Sequence, residues 1–309
     1  MKTATRPAYR PYVAVVKSAR RLSPHFARIT LTSPDFDVFG VDRRDQRVKI
    51  VLPGPDGRLC DIGQADPEAI DNGEWYARWR DLPDAERMPF RTYTVRRIDP
   101  EALELDIDFV LHHDAGPAGS WAETATVGDR LIVVGPDARS PESAQGIDFH
   151  PGTARRILLA GDETAAPAIC AVLEGLGPGI EAEAFIEVPS VDDALPLTAA
   201  RGRVRWLARD ERPHGEALIE AIEAWTAVSG ELLARAAAPR PQALEDIDVD
   251  VDLLWDSPDD GEGEFYAWIA GESQTVKVLR RLLVQGCGVD RKRVAFMGYW
   301  RAGQVERTG

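Results

Sequence analysis

Short runs of alternating or β-branched residues dominate the first half of the chain. Residues 12–17, 27–32, 48–52, 92–97, 103–110 and 130–134 each read as a strand, separated by Pro, Gly and Asp clusters such as VLPGPDG, IDPEA and TVGDR. Six strands at this spacing predict a small antiparallel β-barrel. The stretch 61–89 breaks the rhythm. It holds Asn72-Gly73 and two tryptophans, and it reads as an insertion or long loop.

The pattern changes after 137–152, DARSPESAQGIDFHPG, whose Pro, Gly and Ser content marks an interdomain linker. Apolar runs at 156–160, 184–188, 204–208, 265–270 and 294–297 read as buried strands. Helical patterns at 165–176, 216–228 and 273–283 alternate with them. That alternation predicts a parallel sheet covered on both faces. The expected organisation is a barrel domain over 1–140 and an α/β domain over 152–309. Residues 231–263 interrupt the second domain. Ten acidic and no basic residues lie from Glu245 to Glu264, which reads as a solvated acidic loop, with a docking surface for a basic partner as the alternative.

Charge and cysteine usage narrow the function. The chain has 309 residues and a formal charge of −14, so it repels phosphate backbones and a nucleic-acid partner is not expected. Cys60, Cys170 and Cys287 are far apart, with no CxxC and no histidine at ligand spacing, so no zinc or iron–sulfur site is expected. Sparse cysteines, a polar start and the lack of an apolar run of about 18 residues predict a cytoplasmic protein without a membrane span. A monomer is the default expectation.

Three segments carry candidate chemistry. In Arg91-Thr92-Tyr93-Thr94-Val95-Arg96, alternation puts Arg91, Tyr93 and Val95 on one strand face and Thr92, Thr94 and Arg96 on the other. A guanidinium fork suits phosphate and a tyrosine ring suits a flat heteroaromatic, although the same residues also suit ordinary barrel packing. In the segment 109–122, FVLHHDAGPAGSWA, small residues lead into a helix start, where backbone amides bind pyrophosphate or simply make a tight turn. Ser120 is a candidate cap of that helix. The third segment, Gly161-Asp162-Glu163-Thr164-Ala165, follows the first strand of the α/β domain, where open parallel sheets bind ligands. It lacks the GxGxxG fingerprint, and its alternative reading is a helix start capped by Asp162 or Thr164. No side chain stands out as acid, base or nucleophile, as expected where a cofactor carries electron transfer.

Together these segments resemble the siderophore-interacting protein family, FAD-dependent ferric-siderophore reductases of the ferredoxin–NADP reductase superfamily. RTYTVR resembles the flavin motif R-x-Y-[ST]-x-R. The segment 109–122 resembles a strand followed by H-G-x-x-G-P-A-S-x-W-A, and LLAGDETAAPAI resembles A-G-D-E-T-A-x-P-A. The ending, AWIAGESQTVKVLRRLLVQGCGVDRKRVAFMGYWRAG, resembles W-x-A-G-E, R-R and G-Y-W-R-x-G. Two departures stand out: His113 replaces a glycine, and Gly119-Ser120 shifts the serine of the pyrophosphate loop.

The resemblance implies an FAD-binding barrel and an NAD(P)H-binding-like α/β domain. It implies that Arg91 meets the flavin phosphate, Tyr93 packs on the isoalloxazine and Thr94 lies near flavin N5. His112 contacts the flavin region, and Gly116, Ala118, Gly119 and Ser120 form the pyrophosphate loop. Asp162, Glu163 and Thr164 fall on the nicotinamide side, and Thr92, Asp114, Trp121 and Ala165 complete the cofactor set. Lys49 and Arg301 are implied contacts of an anionic ferric siderophore, with Arg43, Arg44 and Arg47 as further basic candidates. Arg203, Arg205 and Arg209 are candidates for a 2′-phosphate. The implied activity is reduction of Fe(III)-siderophore by NAD(P)H. The alternatives are reduced ferredoxin as donor, a general flavin reductase or diaphorase, and a non-enzymatic iron–siderophore binding protein.

Overall fold

The computed structural model describes residues 6–88, 90–111, 116–198, 200–245, 247–249, 252–258 and 262–303. The chain divides into two compact units, one reaching Ile147 and the other starting at Asp148.

Unit 1 is built on one antiparallel sheet. Its strands are β1 (Tyr9–Ser23), β2 (Phe26–Thr32), β3 (Arg47–Val51), β4 (Phe90–Thr94), β5 (Arg97–Asp99), β6 (Glu104–Val110) and β7 (Arg130–Pro136), in the order β4-β3-β7-β1-β2-β6-β5. β4 and β5 are two halves of one bent strand. At the bend the Val95 N–H donates to the Gln46 carbonyl (2.9 Å) and the Arg96 N–H to the Asp106 carbonyl (3.0 Å). Residues 90–99 thus pair with β3 at one end and β6 at the other, which curls the sheet into a six-stranded barrel.

Inward-facing Tyr12, Ala14, Val16, Ile29, Leu31, Val48, Ile50, Leu105, Ile107, Leu131 and Val133 fill the interior. Their period-2 spacing is the alternation that marked the strands. β1 outruns its predicted span because its second half, Lys17–Arg21, is exposed and shows no alternation, although Ser18–Arg21 pair with β2 after a register shift at Lys17. Residues 61–88 form a layer with helices of its own. It holds α1 (Pro67–Asn72), capped by the Asp66 carboxylate, and α2 (Trp75–Asp81). These pack Trp79, Ile62 and Phe90 onto the outer side chains Val51, Ile132 and Val134.

Unit 2 is an α/β sheet. Its strands are β8 (Arg156–Gly161), β9 (Glu181–Val188), β10 (Arg203–Ala208), β11 (Trp255–Asp256), β12 (Phe265–Glu272) and β13 (Val294–Trp300), ordered β10-β9-β8-β12-β13-β11. All pairings are parallel except that of β11 with β13. The helices α4 (Ala166–Gly175), α5 (Glu216–Val228), α6 (Gly230–Arg235) and α7 (Ser273–Arg281) complete the unit. Chain order reverses between β8 and β12, so the topological switch point lies at their carboxyl ends.

The acidic stretch is only partly a solvated loop. Val249 and Leu254 are buried, and β11 extends the sheet. Lys277 donates to the Ile247 carbonyl (2.6 Å), and Arg280 reaches the Asp256 carboxylate (3.3 Å). Cations of α7 therefore anchor a segment whose composition alone reads as solvated.

Candidate functional site

In unit 1 the two implied flavin segments come together through a chain of rings. Tyr93 on β4 lies 4.4 Å from Phe109 on β6, and Phe109 lies 5.8 Å from Trp121 on α3 (Pro117–Thr124). Strand 90–94 and the start of α3, distant in sequence, are thereby held against the same barrel wall. The Tyr93 ring is half-buried, Arg91 is half-buried with Nη1 on the Phe90 carbonyl (2.9 Å), and Thr94 is buried. Thr92 faces the other way. Its Oγ1 accepts from Lys49 Nζ (2.6 Å), and that ammonium also sits 5.1 Å above the Phe90 ring.

Ser120 does not cap α3. The helix starts at Pro117 with Gly116 as its cap residue, so Ser120 lies within the first turn and its N–H donates to the Gly116 carbonyl (3.1 Å). No side chain caps α3 among the described residues. The amides of Ala118 and Gly119 belong to that first turn, where helices leave N–H donors for an outside acceptor. Those amides with the helix dipole, and the Arg91 guanidinium on β4, are each of a kind that suits phosphate, and the Tyr93 ring offers a face for a flat ring. These residues fit a flavin dinucleotide. His112 and Asp114 lie outside the described residues.

In unit 2 the third segment lies at the switch point. Asp162 and Glu163 are each 1% exposed, Ala165 is buried and Thr164 half-buried. The Asp162 carboxylate accepts from the Thr164 N–H (2.9 Å) and hydroxyl (2.5 Å), the Glu272 N–H (2.7 Å) and Trp300 Nε1 (2.8 Å). Gly271 makes this possible: its φ is +145°, and a Cβ there would stand 2.6 Å from the carboxylate. Glu163 forms a fork with Arg209, at 2.9 and 3.0 Å, and Arg209 also reaches Glu187 at 3.2 Å. The Glu187 carboxylate accepts from the Gly215 N–H (2.8 Å) and the Leu218 N–H (3.0 Å), which caps α5. Glu272 caps α7 in the same way through the amides of Gln274 and Thr275. Each of these strand ends thus carries an acid that fills amide sites of its own unit. Asp162 and Glu163 are likewise engaged within the unit.

His214 stands against this cluster, its Nε2 3.6 Å from both Asp162 and Glu163, an ion-pair distance rather than a hydrogen bond. Burial and the neighbouring Glu163 push the Asp162 pKa up. Burial alone would raise Glu163 too, but His214 and Arg209 outweigh it and bring its pKa down to about 2. Burial opposes charge on His214, but the two carboxylates prevail and raise its pKa. One ligand atom of each of Asp162, Glu163 and His214 lies within 4.8 Å of the others, metal-like spacing. Their carboxylate oxygens already accept from Arg209, Trp300 and backbone amides, so a cation would displace existing donors.

Of the three arginines considered for a 2′-phosphate, only Arg209 lies at the carboxyl edge of the sheet, and it is ion-paired. Arg203 starts β10, and Arg205 lies over the Phe185 ring at 5.2 Å. Arg301, in unit 2, donates to the Asp252 carbonyl. Sequence reading missed His214, Glu187, Glu272 and Trp300 as members of the cluster. Glu272 and Trp300 fall within the W-x-A-G-E and G-Y-W-R-x-G signatures, but nothing local ties them to the Gly-Asp-Glu-Thr run, and His214 and Glu187 lie in no quoted motif.

Comparison with known proteins agrees with the geometry. A family model described as a siderophore-interacting FAD-binding domain matches residues 15–140, and a siderophore-interacting protein model matches 154–303. An uncharacterised Mycobacterium tuberculosis protein is 35% identical over 297 residues, covering 94% of this chain and 90% of that protein. The ferric vibriobactin reductase ViuB of Vibrio cholerae is 27% identical over 288 residues, covering 93% and 88%. Among solved structures, the siderophore-interacting protein SipS from Aeromonas hydrophila is 31% identical, with a TM-score of 0.62 and coverage of 97% and 95%. The chain therefore belongs to the siderophore-interacting protein family, with its FAD-binding domain in the barrel of unit 1.

Proposed function

We propose that this protein is a ferric-siderophore reductase that uses electrons from NAD(P)H to convert chelated Fe(III) to Fe(II). The observation that carries the reading is the Tyr93–Phe109–Trp121 chain, which joins the Arg91 strand to the uncapped start of α3. The relationship to ViuB supplies the reaction class. FAD, when bound, supplies the redox chemistry that links a two-electron donor to a one-electron acceptor.

The side chains of this protein bind and orient. Arg91 and the α3 amides hold phosphate charge, and Tyr93 supports the ring system. Thr94 offers a hydroxyl beside it. Lys49, fixed by Thr92 and Phe90, presents positive charge to an anionic chelate. In unit 2, the Asp162–Glu163 network stiffens the strand ends on the proposed nicotinamide side. Fe(II) is larger and less charged than Fe(III), so hard oxygen donors release it more readily. We place the reaction in the cytoplasm. Among the described residues no helix is long and apolar enough to cross a membrane.

One observation favours a second donor. The turn from β8 into α4, where open α/β sheets bind the pyrophosphate of a dinucleotide, carries Gly-Asp-Glu-Thr in place of a GxGxxG run. Reduced ferredoxin needs no such run. Anaerobic absorbance spectra of the purified protein test both readings. Loss of the flavin band with NADH or NADPH, and its return with a ferric siderophore, is the expected result. A flavin band that only ferredoxin can bleach selects the second donor. A colourless protein that takes up no FAD refutes the reductase.

A further inference from the structure

The two edges of the unit 2 sheet differ. β11, at one edge, is two residues long, and Arg280 holds its Asp256 carboxylate at 3.3 Å. β10, at the other, runs six residues and pairs with β9 alone, without a register shift. It contains no proline. Short strands, prolines and bulges are common ways to blunt a sheet edge, because an open edge offers its backbone to another strand. The residue after β10 fixes which way that backbone points. The Arg209 N–H donates to the Val188 carbonyl (2.8 Å), so by alternation Arg203, Arg205 and Leu207 turn their amides toward β9. Val204, Trp206 and Ala208 present N–H and C=O outward, and among the described residues no hydrogen bond reaches those groups.

The side chains give this edge a charge and a period. Arg203 and Arg205 project from one face and are exposed, while Val204, Trp206 and Ala208 on the other face are half-buried. Arg201, just before the strand, is exposed too. Residues 194–209 hold four arginines and no acid, a local positive field on a chain of formal charge −14. Of the four, Arg209 is ion-paired, to Glu163 and Glu187, and Arg205 lies over the Phe185 ring at 5.2 Å. Among the described residues neither Arg201 nor Arg203 meets a carboxylate. Glu183, opposite Arg203 on β9, accepts instead from Trp225 Nε1 (3.2 Å). A 2′-phosphate at the carboxyl ends of the strands would leave both arginines unused, since they stand at the amino end of β10. Cations at 201, 203 and 205 repeat every second residue, the spacing at which an added strand presents one of its own faces.

We propose that β10 is the docking edge for a partner protein, which adds to the sheet an extended segment of alternating acidic and apolar residues. The acids of that segment lie beside Arg201, Arg203 and Arg205, and its apolar residues lie beside Val204 and Trp206. Its backbone takes up the outward amides and carbonyls of β10, so pairing supplies affinity and the alternating side chains supply selectivity. The assignment depends on neither the electron donor nor the substrate of the reductase.

Synthetic peptides test it, titrated into the full-length protein and followed by fluorescence anisotropy. The probe is a fluorescein-labelled octapeptide alternating Glu and Val, and saturable binding is expected. The same alternation with Lys for Glu should bind at least about tenfold more weakly. A peptide of identical composition in the order Glu-Glu-Val-Val keeps the charge but loses the single acidic face, and should also bind at least about tenfold more weakly. The alternating Glu-Val peptide N-methylated at every second residue keeps charge and order but loses donors to the β10 carbonyls, again with a loss of at least about tenfold. In the protein, Arg203→Glu/Arg205→Glu should reverse the preference, so that the Lys-Val peptide binds better than the Glu-Val peptide. No saturable binding of the Glu-Val peptide makes the arginines guards of a closed edge and overturns the proposal. Equal binding of the alternating, reordered and N-methylated peptides overturns it, since charge alone then suffices. An unchanged preference in the glutamate pair overturns it as well. Binding is read without turnover, so a protein that reduces no ferric chelate refutes the reductase and leaves the docking edge standing.

Discussion

Replacing Arg209 with alanine should cost about 3 kcal/mol of unit 2 stability at neutral pH. Arg209 bridges Glu163 and Glu187, whose side chains are 1% and 0% exposed. Removing one partner from a buried ion pair typically costs about 3–5 kcal/mol, because an uncompensated charge remains. The lower end applies here, since Glu187 keeps its two amide donors from Gly215 and Leu218. Among the described side chains Glu163 keeps His214, at 3.6 Å.

The Glu163 pKa gives a second route to the size. Its fall from 4.5 to about 2 corresponds to about 3 kcal/mol, at roughly 1.4 kcal/mol per pH unit, shared between His214 and Arg209. A depressed folded pKa stabilises above the unfolded value, so this contribution is complete above pH 4.5 and disappears as pH falls toward 2. In the variant, burial is no longer offset to the same extent and Glu163 takes up a proton at higher pH. The gap between variant and wild type should therefore narrow as pH falls toward about 2, where the wild-type Glu163 also takes up its proton. Urea denaturation followed by far-UV circular dichroism measures the gap, and amide exchange at Gly215 and Leu218 localises it. Adding Glu163→Gln should recover part of the loss. A loss under about 1 kcal/mol at neutral pH, or one that does not shrink as pH falls from 7 toward about 2, refutes the reasoning.

Three further outcomes follow from the geometry. His214 should titrate above the ordinary histidine range in an NMR experiment, and its stabilisation should be full at low pH and fade as pH rises through its folded pKa; Glu163→Gln should lower that pKa. Gly215→Ala should destabilise by about 2 kcal/mol or more in chemical denaturation, since φ is +84° and a Cβ would stand 2.1 Å from Thr275 Oγ1. Arg91→Ala should cut retained flavin, read as the ratio of flavin to protein absorbance, by at least about tenfold in affinity with little change in the barrel's melting temperature. Wild-type flavin content in that variant removes Arg91 from the phosphate site.

The barrel strands and the α/β alternation were legible in the sequence because each is a local periodicity. Period-2 runs such as 27–32 and 103–110 state which side is buried, and 216–228 repeats at helical spacing. The candidate flavin segments stand out as motifs because RTYTVR and GPAGSWA put their candidate donors on contiguous residues. Other features depend on contacts between distant residues. Barrel closure needs a bend at Val95–Arg96 that bonds to Gln46 and Asp106, and neither partner is local. The Asp162–Glu163 segment reads as a ligand loop until Arg209, His214, Glu272 and Trp300 arrive from other strands and helices and bind its carboxylates internally. The acidic stretch reads as solvated until Lys277 and Arg280 of α7 fasten it. Sequence pattern reports each residue's own preference for water or core. Which charges neutralise one another is set by distance, and folding brings together residues that the chain keeps apart.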